Sequence, residues 1–128
     1  MELSDYLRTH EGVINGGKPH ERLLRDIIGN PKVIGVESFD NIYHEVKLQK
    51  EMITIGCTDL IVESGPRIVL VEAKVFQKDN PKVRDINKQL KRGYNFFVEN
   101  FRMTPRLIGA YRIGQLEQIA FYELPINK

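Results

Sequence analysis

The chain has 128 residues, of which 41% are hydrophobic and 28% are charged, and its formal net charge at pH 7 is +2. This composition predicts one soluble globular domain over residues 1–128. Apolar runs are far shorter than the roughly 18 residues of a membrane-spanning helix, and the first residues lack a signal-peptide pattern. We therefore expect a cytoplasmic location and no membrane partner. The single cysteine, Cys57, excludes an internal disulfide and a thiolate metal cluster.

Two short helices are predicted at the start of the chain. Residues 3–9 form the first, and residues 19–28 form the second, which opens with a proline and ends before Gly29. Periodicity puts Glu21 at the edge of the buried stripe, where the helix dipole favours an acid in the first turn. For the neighbouring His20 we expect a helix-start or phosphate-contact role rather than that of a general base.

A change to β-like alternation follows the second helix. Residues 33–36 are predicted as a short strand, and residues 42–55 contain the first strand of a sheet. Lys47 and Lys50 then lie exposed on this strand or at its end. They either contact the backbone of a substrate or are simply solvated.

Residues 58–75 are predicted to form an antiparallel hairpin. Two apolar, β-branched runs flank a Ser-Gly-Pro turn at residues 64–66. If the turn has no bulge, opposite residues have numbers that sum to 131. Asp59 then faces Glu72 across the hairpin.

Charged side chains lie at the end of this hairpin that is far from the turn. Alternation places Glu72 and Lys74 on one face of their strand, and Asp59 arrives opposite Glu72. Facing carboxylates repel each other unless a cation lies between them or one is protonated, and Mg²⁺ suits oxygen ligands with open positions. The alternative is a solvated strand end with a surface ion pair between Glu72 and Lys74. Cys57, beside Asp59, is expected to pack rather than to act as a nucleophile.

The clearest helix spans residues 83–101, where apolar side chains recur at spacings of three and four. Gly93 inside the apolar stripe indicates a close approach of the helix to the sheet. Gln89 lies beside the stripe and either reaches the end of the hairpin or faces solvent.

Basic residues crowd the loop before this helix and the helix itself. They are Lys78, Lys82, Arg84, Lys88, Lys91 and Arg92. Residues 75–128 carry 10 Lys and Arg against 5 Asp and Glu, whereas residues 1–74 carry 9 against 12. A basic half beside an acidic motif suits a polyanion that is held against a metal site, although a solvated helix face has the same composition.

Two final strands are predicted over residues 106–111 and 119–124, so the elements follow the order α-β-β-β-α-β-β. Asp59, followed by Glu72-Ala73-Lys74 at the end of the next strand, resembles the core motif of the PD-(D/E)xK nuclease superfamily. One departure is Thr58, which stands where the motif often has proline. Two shorter resemblances support the match. Residues 17–23 resemble the opening helix of archaeal Holliday-junction resolvases, and the Gln89 and Tyr94 pair resembles a motif on the family's post-core helix.

The resemblance implies an α/β fold with a restriction-endonuclease-like core. This core has a central mixed sheet of four to five strands flanked by helices in the order α-β-β-β-α-β. It also implies a metal-dependent phosphodiesterase, most simply a DNA endonuclease, with RNA as an open alternative. Homodimers are a family expectation. The alternative function is a non-catalytic nucleic-acid-binding or assembly module that keeps the fold.

The resemblance further implies roles for individual residues. Asp59, Glu72 and the main-chain carbonyl of Ala73 would hold Mg²⁺ or Mn²⁺. Lys74 would assist the attacking water or the transition state. The supporting residues implied by the family are Glu21 and Gln89.

Overall fold

The computed structural model describes residues 2–14, 17–77, 81–114 and 116–126. Within these ranges the chain forms three α-helices and five β-strands, with a 3-10 turn over Pro31–Ile34. The elements in chain order are α1 (Leu3–His10), α2 (Pro19–Gly29), β1 (Asn41–Lys50), β2 (Ile53–Ser64), β3 (Arg67–Phe76), α3 (Arg84–Phe101), β4 (Arg106–Ile113) and β5 (Ala120–Glu123).

The five strands form one mixed sheet in the order β1-β2-β3-β4-β5. Only β3 and β4 are parallel, and the other neighbours are antiparallel. Parallel neighbours need a crossover connection, which α3 provides. The fold is therefore α/β with a five-stranded mixed sheet flanked by three helices, as predicted at this level. No helix in the described ranges has the length and apolarity needed to cross a membrane.

The predicted register of the β2–β3 hairpin is confirmed. Pairing runs from Ser64 opposite Arg67 to Leu60 opposite Val71. The turn places Gly65 at a φ of 59°, a left-handed conformation that glycine adopts readily.

The strand predicted at residues 33–36 is wrong, because Pro31 opens a 3-10 turn there and Gly35, at a φ of 79°, ends it. The first strand of the sheet, predicted within residues 42–55, is confirmed as β1, which begins one residue earlier. A turn at Glu51 and Met52 then leads into β2.

Apolar side chains pack on both faces of the sheet. One cluster joins α1 and α3 to the sheet and the other joins α2 to the opposite face. The predicted approach of α3 to the sheet is also confirmed. A Cβ atom at Gly93 would lie 2.9 Å from Cδ1 of Leu70 and 3.4 Å from Oγ1 of Thr58, so a larger residue would push the helix away.

Candidate active site

The central strands β2 and β3 separate beyond the pair of Leu60 and Val71. From there β2 is paired only with β1, and β3 is paired only with β4. Asp59 and Glu72 are the first residues on the two branches. We call this opening the strand fork.

Hydrogen bonds hold both acids at the base of the strand fork. The main-chain N–H of Asp59 donates to Oε1 of Glu72 at 3.3 Å. The main-chain N–H of Ala73 donates to Oδ2 of Asp59 at 2.9 Å. Each carboxylate thus accepts a bond from the main chain of the opposite strand, so the two side chains are fixed where the ladder ends.

The two acids interact strongly because one of them is buried. Glu72 is only 6% exposed. Burial raises the pKa of Glu72 well above its ordinary value, and the charge of Asp59 and a hydrogen bond between the two carboxyls raise it further. In the absence of a cation, the pair therefore favours sharing a proton over carrying two negative charges.

A third acid, Glu45 on β1, joins the strand fork. The β1–β2 register places it opposite Asp59, yet the regular pairs are His44 with Leu60 and Val46 with Thr58. Glu45 interrupts the ladder with a φ of 50°. Burial raises the pKa of its carboxyl, and the charge of Asp59 adds to this.

The segment after α1 holds Glu45 in this unusual conformation. The N–H of Gly12 donates to the carbonyls of His44 and Glu45, both at 3.0 Å, and a Cβ atom at Gly12 would lie 3.0 Å from the Cβ of Glu45. Sequence reasoning missed Glu45, because strict alternation along β1 gave it no special position. Tyr43 and Val46 are three positions apart and would lie on opposite faces of a regular strand, yet both pack in the same core cluster. The alternation of side chains between the two faces of β1 therefore shifts by one residue at Glu45.

A cleft of about 420 Å³ opens at the strand fork. Strands β1, β2 and β3 and the first turns of α3 supply its walls. The lining residues are Glu45, Lys47, Thr54, Gly56, Cys57, Asp59, Glu72, Gln89 and Arg92.

Gln89 and Arg92 bring polar groups of α3 to the cleft. Nη1 of Arg92 lies 3.4 Å from Oε1 of Gln89, and the stem of Arg92 crosses Gly56, where a Cβ atom would lie 2.8 Å from Cδ of the arginine. Arg92 makes no ion pair with any residue that the structure describes. Its guanidinium is therefore available to an anion in the cleft.

On helix α2, His20 rather than Glu21 contacts an acid of the strand fork. Nε2 of His20 lies 3.4 Å from Oδ2 of Asp59. That hydrogen bond raises the pKa of His20, burial opposes it, and the charges of Asp59, Glu45 and Glu21 add to the rise, so the net shift is upward. Glu21 is half-buried in the same turn and does not line the cleft. Periodicity placed Glu21 at the edge of the buried stripe but did not determine which of the two neighbours faces Asp59.

Lys74 lies two residues beyond Glu72 on β3, and its ammonium points to α3. Nζ is 3.6 Å from Oδ2 of Asp85 and 5.4 Å from the ring centre of Phe76. Lys74 does not line the cleft. The structure thus pairs this lysine with a helix acid rather than with Asp59 or Glu72.

The other basic residues predicted to bind nucleic acid lie on α3, which lines the cleft through Gln89 and Arg92, and just before this helix. Lys82, Arg84, Lys88 and Lys91 are exposed, and none pairs with an acid in the described residues. We call these four residues the α3 basic stripe. Lys78 lies outside the described residues.

Cys57 lies in the cleft but remains a thiol. Its Sγ is 3.7 Å from Oε2 of Glu45, to which it donates. Burial raises the pKa of Cys57 to about 12, and the charges of Glu45 and Asp59 contribute. A thiolate nucleophile is therefore disfavoured here.

Comparisons with family models, curated proteins and solved structures give no significant match. The function must therefore be argued from the geometry of the strand fork itself.

The donor set at the strand fork fits a hard divalent cation. No three His, Cys, Asp or Glu side chains in the described ranges already form a ligand cluster. Mg²⁺, however, keeps several waters and takes only one or two carboxylates from the protein. Asp59 and Glu72 provide that number, and neither pairs with a lysine or arginine in the described ranges. A cation would remove the repulsion that raises the pKa of Glu72.

A larger cavity, of about 790 Å³, lies between α2 and the connection from β4 to β5. It is cationic, with Arg22, Arg25 and Arg112 in its lining. Its lining also has two acids, Asp26 and Glu117, and Asp26 accepts a bond from Nη2 of Arg112 at 2.7 Å. Because Asp26 is already neutralised, the cavity lacks the strained carboxylate pair that distinguishes the strand fork.

Proposed function

We propose that this protein is a metal-dependent nuclease, most simply a DNA endonuclease with a restriction-endonuclease-like core. The strand fork carries this proposal, because buried Glu72 and Asp59 meet there beside an open cleft. Proteins rarely keep two carboxylates so close without a cation or a shared proton, and such pairs mark functional sites.

In this proposal Asp59, Glu72 and the carbonyl of Ala73 hold Mg²⁺ or Mn²⁺. The bound ion would polarise a phosphoryl oxygen and lower the pKa of a bound water. The protein's own residues bind and orient the substrate. Arg92 would donate hydrogen bonds to a phosphate, and Gln89, whose Oε1 is 3.4 Å from Nη1 of Arg92, would orient the guanidinium.

Lys74 has to leave Asp85 to take part in the reaction. The side chains of Lys74 and Asp85 are 45% and 76% exposed, and ion pairs between exposed groups contribute about 0–1 kcal/mol. Attack on the phosphodiester adds negative charge, so the transition state would compete with Asp85 for the ammonium. Lys74 would then stabilise the developing charge or orient the water.

The α3 basic stripe would hold the substrate backbone beside the cleft. Each contact with a phosphate releases a counterion, so binding should weaken steeply with salt. A homodimer would allow the enzyme to cut both strands of a duplex.

The test is a cleavage assay with purified protein and Mg²⁺ or Mn²⁺. Substrates are duplex, flapped, branched and single-stranded DNA, with duplex and single-stranded RNA in parallel. Asp59→Asn keeps the size of the side chain and serves as the inactive control. We expect metal-dependent cleavage of at least one DNA form by the wild type and none by Asp59→Asn. Equal cleavage by the two proteins would point to a contaminating nuclease and would refute the proposal.

One observation favours the alternative, a non-catalytic nucleic-acid-binding module. Asp59 already accepts from the N–H of Ala73 and contacts His20, and Lys74 is paired with Asp85. These contacts would suffice for a purely structural network. A wild type that binds DNA through the α3 basic stripe but cleaves none of the six substrates would establish this second function.

A further inference from the structure

The hairpin that joins β1 to β2 extends beyond the rest of the sheet. We call residues 49–55 the β1–β2 arm. Lys50 pairs with Ile53 and Gln49 with Thr54, while β3 has already left β2 at Leu60. All residues from 50 to 55 are exposed. The main-chain N–H of Gln49 donates to the hydroxyl of Tyr6 at 2.9 Å, and beyond this contact the arm is a two-stranded ribbon without a third strand beside it in the described part of the chain.

The tip of the arm is apolar. Met52 is 94% exposed, Ile53 65% and Ile55 41%. A soluble domain gains nothing by presenting three large apolar side chains on one short ribbon, unless a partner covers them.

The backbone of the arm is also unusual. Glu51 and Met52 both have positive φ, at 51° and 70°, where two-residue hairpin turns normally use Asn-Gly or Asp-Gly. A register shift between Leu48 and Gln49 forms a bulge at the base of the arm, and bulges bend a ribbon and redirect it. Met52 therefore occupies a strained turn, and the bulge sets the direction of the ribbon.

The arm is continuous with the cleft at the strand fork. Thr54 and Gly56 line the cleft from β2, and Lys47 lines it from β1. A polymer with one phosphate beside Asp59 and Glu72 can therefore extend from the cleft along the arm. This step rests on the proposed function.

The size and charge of the arm suit the major groove of B-DNA. Besides its two turn residues, its free part has two residues in one strand and three in the other, or about 7–10 Å of length, and the groove is about 12 Å wide and 8.5 Å deep. A two-stranded ribbon enters such a groove. Lys47 precedes the arm and Lys50 lies beside its turn, where each would meet a phosphate at the groove edge, and the one acid of the arm is Glu51.

We propose that the β1–β2 arm inserts Met52 and Ile53 into the major groove of duplex DNA and makes the protein selective for duplexes of B form. A-form duplexes have a deep, narrow major groove that side chains do not enter, and single strands have no groove. Selectivity for duplex DNA over duplex RNA would then arise at the arm and not at the acids.

The test compares Met52→Ser/Ile53→Ser with Val13→Ser, a control at another exposed apolar residue that is 71% exposed. Dissociation constants are measured in EDTA for a labelled 30-base-pair DNA duplex, the matching RNA duplex and the DNA single strand. For the arm variant we expect about tenfold weaker binding of duplex DNA, with less than about twofold change for the other two probes. Val13→Ser should match the wild type on all three.

Thermal unfolding of the arm variant should match the wild type, because the substituted side chains are exposed. Unchanged affinity for duplex DNA, or an equal loss on all three probes, overturns the inference. The inference is also overturned if the wild type is a dimer, the arm variant is a monomer and both bind duplex DNA equally well. The tip would then bind a second copy of the chain. These outcomes leave the proposed nuclease intact if cleavage persists. A wild type that neither binds nor cleaves any DNA refutes both proposals.

Discussion

The main-chain N–H of Asp59 donates to a carboxylate oxygen of Glu72 at 3.3 Å, exactly one residue beyond the last regular pair of their two strands. This single bond is the favourable contribution of the main chain to a carboxylate that burial and the charge of Asp59 both disfavour. The balance between this hydrogen bond and the two unfavourable effects determines how the stability of the protein depends on the ionisation of Glu72.

Glu72→Gln should stabilise the metal-free protein at high pH. The pKa of Glu72 is raised in the folded state, so its stabilising effect is complete below the unfolded value near 4.5 and is lost as pH rises through the folded value. Within that window the wild type should lose up to about 1.4 kcal/mol of unfolding free energy per pH unit relative to Glu72→Gln. Urea unfolding between about pH 5 and pH 8.5 measures this difference.

The same variant tests the metal site. Mg²⁺ or Mn²⁺ should raise the unfolding temperature of the wild type, more at pH 8 than at pH 6, because the cation replaces the shared proton. Glu72→Gln should show little response. A metal-induced shift of equal size in both proteins would place the ion elsewhere.

Lys74→Ala should separate catalysis from binding. Loss of an ammonium that acts in the transition state should reduce kcat by about 10²-fold or more, while the DNA dissociation constant changes by less than about twofold. Asp85→Asn is the matched control, since it releases Lys74 without removing it. That control should remain active and lose less than about 1 kcal/mol of stability. If Lys74→Ala cleaves as fast as the wild type, the lysine serves only its contacts with Asp85 and Phe76.

The α3 basic stripe should determine how binding depends on salt. Each phosphate contact contributes about 0.9 to the slope of log K against log salt concentration. Lys88→Ala/Lys91→Ala should therefore reduce the slope by about 2. The control Lys32→Ala/Arg67→Ala removes two exposed cations outside α3 and should leave the slope unchanged. Equal slopes for the two double variants would refute a specific role for the stripe.

His20 should make metal binding depend on pH. Its pKa is raised by the hydrogen bond with Asp59, so its ion pair with Asp59 is complete below pH 6.5 and is lost as pH rises through the raised value. The release of Asp59 should then increase the affinity for Mn²⁺. Calorimetric titration of the wild type should show this gain above pH 6.5, whereas His20→Asn should show a flatter dependence. Parallel curves would show that His20 does not control Asp59.

Substitutions of Glu45 test whether backbone strain is stored at the strand fork. At a φ of 50° a residue with a Cβ atom is strained by about 1 kcal/mol or more relative to glycine. Both Glu45→Gly and Glu45→Ala remove the carboxylate, so their difference reports the backbone alone. Glu45→Gly should be the more stable of the two by about 1 kcal/mol in urea unfolding. A more stable alanine variant would show that this strain is absent in solution.

The sequence indicated the central hairpin because local turn chemistry and two apolar runs were sufficient to set its register. They brought Asp59 opposite Glu72, and the structure shows that the two carboxyls interact. The position of Glu45 could not be predicted, because it depends on Gly12, which is 33 residues away and holds it in a left-handed conformation. The partner of Lys74 likewise depends on where α3 begins relative to β3, and no local pattern determines that distance.

The shift of alternation at Glu45 has an evolutionary consequence. The pairing of β1 with β2 is interrupted at Glu45 and at the opposite residue, Asp59. Deleting one residue from only one of these strands would move every later side chain of that strand to the wrong face of the sheet. Drift in length is therefore disfavoured at the level of Glu45. Descendants of this chain should keep the spacing around Gly12 and Glu45 longest.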